Sequence, residues 1–166
     1  MSYPAKVIAN AFLEKAQKTG EQLTPMKLQK LIYYAHGWYL AIQGKPLIDE
    51  YLEAWNYGPV VNSVYIEFRC FGSAPITKLA TQYDQVRAQY IVPMPFEHDH
   101  ELHNLVDSIW QNYGQYSALE LSEMTHYKGA PWDTVKSDNP TMRNVQIPNE
   151  VIESYFSDLL RPVHAV

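Results

Sequence analysis

The chain has 166 residues, 46% of them apolar and 19% charged, a length and balance that let one soluble domain bury roughly 70% of its unfolded surface without metal or disulfide staples. Its formal charge of −5 is unevenly spread: residues 1–48 hold six Lys and two Glu, whereas residues 49–166 hold seven Lys/Arg and sixteen Asp/Glu. The acidic body argues against non-specific nucleic-acid binding and points towards a basic protein partner. Cys70 is the single cysteine, so no intramolecular disulfide forms, as suits a reducing cytosol.

The opening MSYPAKVIANAFLEK has no uninterrupted apolar core of a signal peptide, and no later apolar run approaches ~20 residues. A cytoplasmic protein, neither secreted nor membrane-spanning, is expected. Pro4 suits the first turn of a helix that Gly20 stops, with Ile8, Phe12 and Ala16 on one stripe. Thr24-Pro25 reads as an N-cap and first-turn pair for a helix running to Gly44. Leu28, Leu31, Ile32, Ala35, Tyr39 and Ile42 keep helical spacing along it, and Tyr33, Tyr34 and Trp38 cover other sides. This is the expected central helix.

After the turn at Lys45-Pro46, YLEAWNY alternates as an extended segment, with Glu53, Trp55 and Tyr57 on one face and Leu52, Ala54 and Asn56 on the other. Gly58 then reads as an N-cap and Pro59 as the first residue of a helix carrying Val61, Val64, Tyr65 and Phe68 and stopping near Gly72. Residues 73–97 form a long excursion, in which VRAQYIV (86–92) reads as a strand closed by Pro93 and Pro95. Helical spacing resumes with Leu102, Leu105, Val106, Ile109 and Trp110. Ser117 and Glu120 make a capping-box pattern. Pro131-Trp132 reads as a turn, and Pro148 opens a last helix that Pro162 ends. The expected fold is mainly α, a single compact helical domain over 1–166 with a small β element.

No phosphate loop, dinucleotide fingerprint, nucleophile elbow, HExxH or CxxC pair is present. Three clusters are weighed as chemistry. His98, His100 and His103 with Asp99 and Glu101 offer metal-ligand types but no established spacing, and an acidic first helical turn accounts for the same residues. His126, with Glu123 or Asp133 as partner, would serve a histidine-based hydrolase, and a histidine tying a turn together is the plainer reading. Lys15, Lys18, Lys27 and Lys30 would make a basic patch for stacked bases, or else the wet faces of two helices. No cofactor or metal is expected, and nucleic acid is not an expected partner.

Three blocks in order carry a resemblance: LTPMKLQKLIYYAHGWYLAIQGKPL through Leu28, Lys30, Leu31, Tyr33, Tyr34, Gly37, Trp38, Pro46 and Leu47; EAWNYGPVVNSVYIEF through Glu53, Ala54, Trp55, Tyr57, Gly58, Pro59, Val60, Tyr65 and Phe68; and LSEMTHYKGAPW through Leu121, Ser122, Thr125, His126, Pro131 and Trp132. Together they span about residues 23–76 and 117–136 and resemble the Panacea domain, a family of SocA-like antitoxins and phage-associated proteins. Residues 77–101 match no pattern of that family. The resemblance implies a mainly helical domain that neutralises a toxin encoded beside it by direct binding, small-alarmone-synthetase toxins being among such partners, and it carries over no catalytic residue. A variant within the family delivers the toxin to a protease. Partner binding is assigned first to Tyr57, then to Trp55, Tyr65, His126 and Trp132. Trp38, Trp55 and Trp132 are read chiefly as scaffold, since large rings fill wide gaps while keeping a polar edge.

Overall fold

Helix α1 begins one residue later than Pro4, at Ala5, and runs to Thr19, in a computed structural model that describes residues 1–162. The left-handed Gly20 closes it, and its N–H returns to the carbonyls of Ala16 and Gln17. Helix α2, Pro25–Gln43, starts on Thr24, whose hydroxyl accepts from Lys27 N at 3.4 Å. It buries residues on nearly every side, Gln29, Lys30 and His36 among them.

Strand β1, Leu52–Trp55, alternates as its sequence demands, with Leu52 and Ala54 buried and Glu53 and Trp55 half-buried. The expected helix start at Gly58-Pro59 is not what forms. Gly58–Val60 is strand β2, folded back on β1 with Trp55 opposite Gly58, Ala54 opposite Pro59 and Glu53 opposite Val60. Asn56-Tyr57 is therefore the two-residue loop of a hairpin. Pro59 is tolerated because β2 is an edge strand, where a missing N–H breaks no ladder on the outer side. Helix α3, Asn62–Phe68, follows only after Val61.

The excursion after Gly72 holds a second hairpin, β3 (Gln82–Asp84) and β4 (Gln89–Ile91). The strand expected over 86–92 shrinks to its last part, because Asp84 Oδ1 accepts from Val86 N at 2.9 Å and Arg87 N at 3.1 Å and fixes a turn there. Buried Asn10 of α1 holds the excursion down. Its amide donates to Ala80 O at 3.0 Å and Pro93 O at 2.8 Å and accepts from Ala80 N at 2.7 Å.

Helix α4 is His100–Tyr113, and α5, Ala118–Thr125, starts on the expected capping box of Ser117 and Glu120. Pro131 opens a full helix, α6 (Pro131–Asp138), where the sequence reading had only a turn. Strand β5, Val145–Ile147, was not expected at all. It completes a three-stranded antiparallel sheet in the order β2-β1-β5, with Leu52 opposite Ile147. The last helix, α7, is Asn149–Leu160.

The fold is mainly α, with α1, α4, α5 and α7 packed around α2. Gly37 permits the closest approach: a Cβ there would run into the ring of Phe156 on α7. That ring meets Trp38 at 5.1 Å and Tyr33 at 5.6 Å, both edge-on. His36 accepts from Ile48 N at 3.4 Å through Nδ1 and so presents Nε2 to Asn149 Oδ1 at 2.9 Å. Burial lowers its pKa, favouring this neutral tautomer.

Candidate functional site

A two-residue β-turn between strands this short has little stability of its own. The β1–β2 hairpin is instead held by side chains from three helices, each hydrogen-bonded to one of its carbonyls. Trp132 Nε1 of α6 reaches Trp55 O at 2.6 Å. His126, which caps α5, places Nε2 3.1 Å from Asn56 O and Nδ1 2.6 Å from Ser122 O. Ser122 Oγ donates to Tyr57 O at 2.7 Å, and Lys30 Nζ of α2 donates to Pro59 O at 3.1 Å. Two residues further on, Gln29 bonds Val61 in both directions, at 2.8 and 3.1 Å.

Gly58 is what lets these groups come so close. Its φ of +105° suits glycine, and a Cβ would lie 2.5 Å from Thr125 Oγ1 and 2.8 Å from Lys30 Cε. With its backbone strapped down, the hairpin presents Tyr57 to solvent at 71% exposure. Trp55 lies beside it, its indole N–H on Glu53 Oε2 at 2.7 Å and its ring 4.6 Å from that of Tyr65. Tyr65 is also exposed, and Ile66 next to it. The three rings place apolar faces with polar edges at the surface, residue types that protein interfaces favour.

Behind these rings lies a cavity of about 480 Å³. Met26 of α2, Val60 of β2 and Val64 and Phe68 of α3 supply apolar wall, and Trp55, Tyr57 and Tyr65 border it. Its charged residues are Lys30 and Arg143. Lys30 is 1% exposed, and no carboxylate among the described residues lies within ion-pair distance of it. Burial alone pushes its pKa down to about 7.

The five residues assigned to partner binding thus gather in one region. Trp55, Tyr57 and Tyr65 lie at the surface, while the rings of His126 and Trp132 meet at a tilt, 3.9 Å between centroids, and bond the hairpin from behind. Trp38 lies elsewhere, bonded to Tyr113 OH at 2.7 Å. Both ring nitrogens of His126 face backbone carbonyls, and Asp133 accepts from Gly129 N at 2.8 Å.

The basic patch is not formed. Lys30 is core, Lys27 donates to Gly114 O at 2.6 Å, Lys15 pairs with Asp107 at 2.8 Å and Lys18 with Glu14 at 3.2 Å. Asp99 caps α4 by accepting from Leu102 N at 3.1 Å, and His103 turns to Phe96 O at 3.1 Å. No group of three metal-ligand side chains gathers among the described residues, and no helix among them is long and apolar enough to cross a membrane.

Lys30, Ser122 and Gln29 join the site without having been assigned to it from the sequence, where Lys30 was weighed as part of a basic patch. Lys30 did carry a signal: Tyr33 and Tyr34 lie three and four positions on, so the lysine stands on an apolar row of α2.

Lys30, Gly58, Ser122, Thr125, His126 and Trp132 all belong to the three blocks noted in the sequence, and all six meet at one hairpin. The chain belongs to the SocA-like antitoxin family, Panacea domain, whose profile matches residues 28–133. That span runs from α2 into α6 and includes every strap. Among individual proteins, the chain is 32% identical over 157 residues to Antitoxin SocA of Caulobacter vibrioides (strain NA1000 / CB15N), across 93% of this chain and 83% of that protein. No solved structure matches it.

Proposed function

We propose that this protein is an antitoxin that neutralises a toxin encoded beside it by stoichiometric binding in the cytoplasm, using the face formed by Trp55, Tyr57 and Tyr65. The relative's name supplies the antitoxin role. The observation that supports the binding mode is the hairpin, whose exposed Tyr57 sits on a backbone strapped by Trp132, His126, Ser122 and Lys30. A contact surface held rigid before binding loses little entropy when the partner arrives. Tyr and Trp bury large areas with few rotors, which is why they serve as anchors. Inhibition then follows from covering the toxin's active site or substrate surface, and a toxin of the small-alarmone-synthetase type fits the reading. No cofactor or catalytic group of this chain takes part.

The test is growth. The adjacent reading frame is expressed alone and with this protein, and the pair is then co-purified. Toxicity alone, rescue together and a stable complex support the reading. A harmless neighbour overturns it. Rescue accompanied by protease-dependent disappearance of the toxin replaces occlusion with delivery for degradation.

A further inference from the structure

The cavity beside the hairpin joins a wall of rings to a buried cation without a counter-charge. Lys30 Nζ carries three N–H donors when protonated, and Pro59 O at 3.1 Å takes one. Arg143 adds a second positive charge from the exposed side, and no Asp or Glu lines the cavity among the described residues. On a chain of net charge −5 this local sign runs against the background. A buried ammonium is costly unless paired, so a carboxylate brought to it gains both a hydrogen bond and a counter-ion in a low-dielectric place. The volume, about 480 Å³, lies in the range of ligand sites. A phosphoryl group, with more charge and three acceptor oxygens, would find only Lys30 inside and suits the cavity less well.

We propose that this cavity receives a carboxylate carried beside an aromatic or apolar side chain of the bound protein partner, with Lys30 pairing the carboxylate and Trp55 and Tyr65 covering the apolar group. The inference rests on the reading of this face as the one that meets the partner. Two sources share the chemistry, a chain-terminal carboxylate and an acidic side chain next to a ring.

Three short peptides separate them: acetyl-Gln-Phe with a free carboxylate, acetyl-Glu-Phe-amide, and the neutral acetyl-Gln-Phe-amide. Each is titrated into the full-length protein, following the Trp55 indole N–H by NMR, up to about 10 mM. At least one acidic peptide is expected to bind about tenfold more tightly than the neutral one, the gain typical of a charge-assisted bond. Which acidic peptide wins identifies the source. Lys30→Met should erase the preference. Equal affinity for all three peptides, no saturation by any, or an undiminished preference in a folded Lys30→Met protein overturns the proposal. The wild-type comparison stands even if the variant fails to fold. No toxin takes part, so a negative result here leaves the growth and co-purification outcomes untouched, and failure of rescue leaves the peptide preference as measured.

Discussion

Lys30→Met offers a direct reading of what the strapped hairpin costs the fold. Burial holds the lysine at about 7 in the native protein against an ordinary value of 10.5. Between those values the unfolded chain binds a proton that the folded chain does not, so this group makes stability rise with pH across the window. One pKa unit corresponds to about 1.4 kcal/mol, which puts the penalty at roughly 5 kcal/mol on the acid side of the window. Most of it remains at neutral pH, and about 2 kcal/mol is relieved between about pH 7 and about pH 9. Methionine has a similar length and no charge, so its protein should lack this rise. Urea unfolding of both proteins across that range, compared as a difference, cancels the other titrating groups. The lost bond to Pro59 O shifts the variant by about 1 kcal/mol at every pH and does not alter the slope. The wild type should gain about 2 kcal/mol on the variant over the range. Parallel stability curves would refute the burial of an ionisable, uncompensated Lys30.

Other perturbations separate scaffold from surface. Gly58→Ala forces a strained φ and drives a methyl into Thr125 and Lys30, for an expected loss of about 3 kcal/mol by denaturant unfolding; an unchanged midpoint would contradict the close approach. Asn10→Ala leaves Ala80 N and two carbonyls unpaired in the core and should cost about 3 kcal/mol, with faster proteolysis within residues 77–97. Unaltered cleavage there would show that the excursion is anchored elsewhere. Tyr57→Ala touches no core contact, so its stability should stay within about 0.5 kcal/mol of wild type while growth rescue is lost. Intact rescue would remove Tyr57 from the interface.

The longer helices announced themselves in the sequence through chemistry at an end and a stripe to bury, whereas the short α6 read only as a turn. Thr24-Pro25 and Gly44 bracket α2, and Ser117 with Glu120 opens α5. Gly58-Pro59 misled because the same pair serves a helix start and an edge strand, and only pairing with β1 decides between them. Strand β5 is too short to show periodicity, and its existence depends on a partner about ninety residues earlier in the chain. Of the residues gathered at the hairpin, the aromatic ones and His126 were legible as candidates in the sequence, and the other supports were not. Composition marks Trp55, Tyr57 and Tyr65 as interface types. Nothing local tells that Ser122 and Lys30 reach the same hairpin, since those bonds span 65 and 29 residues of sequence.

The central claim is neutralisation by binding, and its sharpest test is a titration. The activity of the purified neighbouring gene product is measured against rising amounts of this protein. Binding predicts a linear fall that ends when the two are equimolar, with a complex of both chains recovered at the end point. Full inhibition by a small fraction of an equivalent would mean that this protein turns over, and would contradict the account.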